Sequence, residues 1–148
     1  MSTLDEQQHL AIESHCMRLV HDFAAFVDRR EFDRLANLFT VDGHFSRPRL
    51  PDVVVAGRDR IRASFTQRPS AEFTRHLVHN LRVTVTSPTH ARGEFCLVLY
   101  TAKVDPHAGE FGACAEARQL IADIEDDFAL TDEGWRIASR RGRIVMHT

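Results

Sequence analysis

From residue 73 onward the chain consists of long segments, 74–87, 90–104, 116–130 and 135–147, rich in Val, Ile, Leu, Phe and Thr. They are parted by Ser-Pro-Thr, Asp-Pro-His-Ala-Gly and Thr-Asp-Glu-Gly, each a cluster of turn-forming residues. Strands this long joined by short turns predict an antiparallel meander. Long strands twist, so the sheet curls and its concave side needs a cover. The cover lies upstream. Ile12, Cys16, Leu19, Val20, Phe23, Phe26 and Val27 recur at helical spacing and form one apolar stripe on a helix from about residue 5 to 28.

The segment between helix and meander reads as smaller pieces. A short helix is expected over Glu31–Phe39, burying Phe32, Leu35, Leu38 and Phe39 and ended by a turn at Asp42-Gly43. GHFSRPRLPDVVV reads as a short strand and a proline-punctuated loop, since Pro48 and Pro51 cannot sit in a central strand. Gly57 precedes a third helix, RDRIRASF, which runs to about Gln67 before Pro69 stops it. In the last strand the apolar parity changes between Trp135/Ile137 and Ile144/Met146, which predicts a bulge near Gly142. The fold class is α+β: one domain over 1–148, with a curled antiparallel sheet wrapped around the long N-terminal helix and a one-ended conical cavity left between them.

Composition removes several function classes. Nineteen Lys+Arg against 21 Asp+Glu leave a net charge of −2, which offers no footprint for nucleic acid or an anionic membrane. Apolar runs are too short to cross a bilayer, and MSTLDEQQHL lacks the layout of a signal peptide. Cys16, Cys96 and Cys114 are odd in number and widely spaced, which fits free thiols in a reducing cytoplasm. GxSxG, HExxH, P-loop and GxGxxG patterns are absent. His9, His15 and His21 spread around the first helix, and His76 and His79 have opposite strand parity, so no metal site is expected.

His76 is the residue with most chemical promise. In TRHLVHNLRV, alternation puts His76, Val78, Asn80 and Arg82 on one face and Leu77, His79, Leu81 and Val83 on the other. If the first face lines the cavity, an imidazole sits there, the side-chain type suited to proton abstraction near neutrality. The alternative is a strand-end histidine bonded to backbone. A histidine base needs an acceptor for its other ring nitrogen, and Asp28 is the candidate. Its helical phase lies off the apolar stripe, so periodicity alone leaves it solvated unless the chain loosens near Arg29-Arg30. Asp123, Glu125 and Asp127 share one strand face and Asp126 the other; they read as a solvated face or a ladder with Arg136, Arg140 and Arg141. Arg47 and Arg49 flank Pro48, where they are either solvated or placed to guard an entrance and bind an anionic substituent.

FVDRREFDRLANLFTVDGHF, TRHLVHNLRV and DDFALTDEGWRI together resemble segments of the nuclear transport factor 2-like superfamily, specifically its SnoaL-like branch, over nearly the whole chain. The resemblance implies a cystatin-like α+β barrel. The first two segments are similar to those of scytalone dehydratase, bile-acid 7α-dehydratase and hexachlorocyclohexane dehydrochlorinase, where an aspartate–histidine dyad abstracts a proton. The dyad positions fall on Asp28 and His76. The sequence also departs from scytalone dehydratase. A second catalytic histidine there falls on Phe95, a serine and an asparagine fall on Ala122 and Ile124, and a substrate-activating tyrosine falls near Arg47. These replacements argue against scytalone as substrate and fit either a more apolar ligand or a pocket that no longer catalyses.

The resemblance thus implies a cofactor-independent lyase or isomerase of the dehydratase or cyclase type, acting on a small hydrophobic molecule. Asp28 and His76 are its catalytic residues. Asn80 is expected to orient the ligand, with Phe23, Phe26, Phe45, Arg47, Phe95, Leu97, Ala122 and Ile124 around it, although the aromatic residues serve equally as core. No cofactor or metal is required. One alternative is the non-catalytic small subunit of a ring-hydroxylating dioxygenase, which shares the fold and a similar RHLV-N strand. Another is a module that binds a hydrophobic ligand without chemistry. Relatives pair or trimerise through the outer sheet face, and outward Leu77, Leu81 and Val83 would need cover, so a homodimer or homotrimer is expected.

Overall fold

The computed structural model describes residues 4–148; the first residues of the expected domain and of the MSTLDEQQHL leader reading lie outside the described residues. Helix α1 spans Glu6–Arg29. A reciprocal cap starts it: the Asp5 carboxylate accepts the Gln8 N–H at 2.7 Å, and the Gln8 side-chain oxygen accepts the Asp5 N–H at 2.9 Å. Arg30, in the left-handed region at φ 61°, ends it. The buried stripe is the one read from periodicity, Ile12 through Val27. No described helix is long and apolar enough to cross a membrane.

The remaining elements are α2 (Phe32–Ala36), β1 (Phe39–Arg47), β2 (Leu50–Ala56), α3 (Arg58–Thr66), β3 (Glu72–Ser87), β4 (His90–Lys103), β5 (Leu120–Thr131) and β6 (Gly134–His147). Helix α2 is shorter than expected because β6 recruits the residues that follow it. The Ile137 N–H donates to the Leu38 carbonyl at 2.7 Å, and Phe39 pairs with Ile137. Asp42-Gly43 is therefore a bulge inside β1 and not a helix-ending turn. A side chain at Gly43 would press on the Thr40 carbonyl and the Phe39 Cβ, both 3.1 Å away. The proline-bearing segment forms edge strand β2, where Pro51 costs the ladder nothing.

The sheet order is β2-β1-β6-β5-β4-β3. Strands β3 to β6 are the predicted antiparallel meander, but β1 joins β6 in parallel, so the sheet is mixed. It curls without closing, with β2 and β3 as free edges. Its inner residues and the α1 stripe form one core, which includes Phe23, Phe39, Phe45 and Phe65 with ring centroids 5.1–6.1 Å apart.

Two bulges alter which residues face inward. In β3 the register slips between His79 and Arg82, at Asn80, whose φ is 55°. Asparagine tolerates this left-handed conformation better than other side chains. Inward residues thus change from Thr74, His76 and Val78 to Leu81, Val83 and Val85, all packed on the core. Asn80 itself is exposed. Of the aliphatic residues expected outside, Leu77 is 42% exposed while Leu81 and Val83 face the core, which removes most of the apolar patch. In β6 the parity change comes at Ala138, between the Asp127–Ser139 and Phe128–Ile137 pairs, and not at Gly142, which pairs with Ile124. We expect Asn80→Gly to hold stability within about 0.5 kcal/mol, whereas Asn80→Val costs about 1–2 kcal/mol in urea denaturation. Equal losses in both variants would show a side-chain role beyond the bulge.

Candidate active site

Asp28 is the last residue but one of α1, on the flank carrying His21, Ala24 and Ala25, and β3 lies along that flank. The small alanines admit the strand closely. No loosening of the helix is needed, since α1 remains regular through Arg29. The apolar stripe faces the bowl of the sheet, and the curled edge of the same sheet covers Asp28.

Three donors of β3 converge on the Asp28 carboxylate. Oδ1 accepts the Thr74 hydroxyl at 2.8 Å and the His76 Nδ1–H at 2.5 Å, and Oδ2 accepts the His76 backbone N–H at 2.8 Å. Both side chains are nearly buried, His76 at 10% and Asp28 at 12% exposed. Burial alone would raise the Asp28 pKa, but the His76 ring bond and charge, its backbone N–H and the Thr74 hydroxyl together hold it below the ordinary 3.8. The ionised carboxylate only accepts, so Nδ1 carries a proton, and in the neutral form of the ring the lone pair is on Nε2. Among the described residues Nε2 has no hydrogen-bond partner. Thr74 escaped notice in the sequence, although it lies two residues from His76 and therefore on the same face.

A depressed carboxylate pKa carries a sign for stability. The unfolded chain takes up this proton at a higher pH than the native one, so the contribution is present above the ordinary 3.8 and is lost as pH falls through the native value. Urea denaturation at descending pH should therefore show the stability gap between wild type and Asp28→Asn narrowing in acid. A gap that stays constant from neutrality down to pH about 3 would contradict the pairing.

A cavity of about 170 Å³ opens beside the dyad, with His76 in its wall. Phe23, Phe45, Arg47, Leu97, Ala122 and Ile124, all expected near a ligand, also line it. The other expected residues do not. Phe26 is buried in the core under the Arg34 guanidinium, and Phe95 is buried near the Arg140 guanidinium. Asn80 is removed by its bulge. His76 also borders a shallow groove between α1 and β3.

Arg140 and Arg68 are wall residues that sequence reading did not single out as pocket residues. Arg140 faces inward because of the Ala138 bulge, and its Nε and Nη2 donate to the two Asp126 carboxylate oxygens at 2.7 and 2.5 Å. Its guanidinium lies 4.0 Å from the Phe23 ring centre, and Nη1 has no partner among the described residues. Full burial pushes the Asp126 carboxyl upward against the pull of Arg140. One signal could have found this pair: Asp126 alternates with Ala122, Ile124 and Phe128, and a charge on an apolar face demands a buried partner. The remaining acids on β5 behave as read, with Arg141 bonding Glu125 and Asp127 across the outer face.

Among the described residues no three His, Cys, Asp or Glu side chains gather as a metal cluster. The cysteines are free, and burial pushes the Cys16 thiol up to about 12, so it stays protonated.

Residues 8–141 match a family model described as a SnoaL-like domain. No curated protein sequence matches the chain. Among solved structures, a candidate scytalone dehydratase from Novosphingobium aromaticivorans superposes with a TM-score of 0.80 at 19% identity, over 97% of this chain and 91% of that one. A hexachlorocyclohexane dehydrochlorinase (LinA, type 2) gives a TM-score of 0.78 at 18% identity, over 97% and 92% of the two chains. An NTF2-like protein with a cystatin-like fold, also from Novosphingobium aromaticivorans, gives 0.74 at 17% identity, over 94% and 86%.

Proposed function

The chain belongs to the SnoaL-like family, and from that premise we propose that it is a cofactor-independent lyase or isomerase that removes a proton from carbon in a small hydrophobic molecule. The observation that carries this reading is the Asp28–His76 contact of 2.5 Å beside an apolar cavity. Asp28 fixes the imidazole tautomer and stabilises the imidazolium that forms. Nε2 takes the proton, the C–H electrons become a new double bond, and either a leaving group departs with its own pair or the unsaturation shifts. If hydroxide leaves, the imidazolium returns the proton to it as water. The unpartnered Nη1 of Arg140 is the donor available for the leaving group or for charge developing on a substrate oxygen. Base catalysis supplies about 10²–10⁴-fold, and positioning in the cavity supplies more.

Two structural neighbours bear the names of elimination enzymes, a dehydratase and a dehydrochlorinase, which supports the reaction class. The apolar Ala122 and Ile124 in the cavity wall support an apolar substrate body. The test is proton exchange. A panel of cyclic β-hydroxy, β-halo and β,γ-unsaturated compounds is incubated in D₂O, and loss of the acidic C–H signal is followed by NMR. Exchange or elimination by wild type and not by His76→Ala supports the reading; equal behaviour of the two proteins sinks it.

A further inference from the structure

The cavity wall carries the cations Arg47, Arg49, Arg68 and Arg140 and no aspartate or glutamate. Arg140 is already neutralised by Asp126 behind it. Among the described residues Arg47, Arg49 and Arg68 have no carboxylate within ion-pair distance. Asp28, which acts on Arg68 from a distance, spends its oxygens on Thr74 and His76. Glu72 and Glu116 belong to an adjoining pocket that shares Arg49 and Arg68 with this one, not to the cavity itself.

Two of these cations are held partly out of water. The Arg47 guanidinium stacks 4.6 Å from the Phe65 ring centre and donates through Nη2 to the Ser64 carbonyl at 2.8 Å. The Arg68 side chain makes no hydrogen bond among the described residues; its backbone alone is engaged, the N–H donating to the Phe65 carbonyl at 3.1 Å and the carbonyl accepting from Arg30 at 2.9 Å. Burial lowers the pKa of both arginines, helped by Arg68 repelling Arg47 and by Arg30 repelling Arg68, while Asp28 and Glu72 pull Arg68 partly back; both remain charged. Guanidinium groups drawn from water without a carboxylate in direct contact are costly, and their planar forks match a carboxylate. The lining also includes Phe23, Leu97 and Ile124, which favour an apolar body.

We infer that the natural ligand is a hydrophobic carboxylic acid, whose carboxylate is gripped by Arg68 with help from Arg47 and Arg49 while its apolar body extends past His76. This rests on the cavity being the substrate site and deepens the reaction proposed above by naming the acid class. The arginines are specificity-determining: they select the acid over its neutral analogues and set which carbon meets Nε2.

The experiment reads binding, not turnover. Isothermal titration calorimetry compares 2-naphthoate with 2-naphthamide, its uncharged analogue, neither of which has a proton for the base to remove. Naphthoate is expected to bind about tenfold or more tightly than the amide, as a charge-assisted contact allows. Arg68→Gln should erase that preference and Arg47→Gln reduce it. Arg68→Lys should keep part of it, and exposed Arg118→Gln should leave it untouched. Circular dichroism confirms that each variant is folded. The preference should persist in His76→Ala, so a failure of the catalytic reading leaves it standing. Equal affinities for acid and amide, no binding of either, or a preference indifferent to Arg68 would each overturn the inference.

Discussion

His76→Ala should reduce proton abstraction by about two to four orders of magnitude, since the base itself is removed. The protein should remain folded, with a stability loss of about 1–2 kcal/mol. Asp28→Asn is the more informative variant. The carboxylate accepts donors at both oxygens: the Thr74 hydroxyl and the His76 ring N–H at one, and the His76 backbone N–H at the other. An amide has one oxygen, so its NH₂ must face either the ring and hydroxyl or the backbone N–H. In the first orientation it pushes the ring toward the tautomer with Nε2 protonated, which cannot accept a proton from carbon. In the second a buried donor loses its partner at a cost of about 1–3 kcal/mol. Either way the imidazolium loses its counter-charge, and the rate should fall nearly as far as in His76→Ala. Initial rates beside urea denaturation curves separate the two effects. A rate within about twofold of wild type in Asp28→Asn would leave Asp28 a structural cap for β3 and remove the dyad.

The parts of this arrangement differ in how far residue patterns reveal them. The α1 stripe is legible because one helical face is buried along its length, and each buried residue recurs at the helical period. The inward phase of His76 is legible for the same reason on a strand, since alternation holds from Thr74 to Val78. It then fails at Asn80, where one extra residue on β3 reverses everything downstream. Asp28 is invisible to periodicity because its cover comes from the sheet's far edge, a long-range contact; the need of a histidine base for an acceptor named it, and the resemblance supported it against its helical phase. Arg140 is hidden by the Ala138 bulge, which sits earlier than the apolar pattern suggests. Arg68 enters the cavity from the loop after α3, and no period governs a loop. What a repeating pattern registers is a face that stays buried over several turns, and the cationic wall is assembled from single residues on separate elements.

The Asp126–Arg140 pair is where the fold and the cavity are most tightly joined, and its dissection should give the largest stability change in the molecule. Both side chains are buried, at 0% and 6% exposure, and they meet through two parallel hydrogen bonds. Asp126→Ala leaves a guanidinium pressed between Phe23 and Phe95 without a counter-charge, and should cost about 3–5 kcal/mol. Replacing both partners, with Asp126→Leu and Arg140→Met, removes the charges and restores apolar packing against the same rings. The double variant should recover most of that loss, because desolvating two ions offsets much of their attraction. Urea denaturation of the singles and the double measures the coupling directly. Catalysis should not follow stability, since the double variant lacks the Arg140 donor in the cavity wall. A folded, stable and inactive double variant would assign Arg140 to the substrate as well as to the core. A stable variant with undiminished turnover would confine the pair to holding β5 against β6.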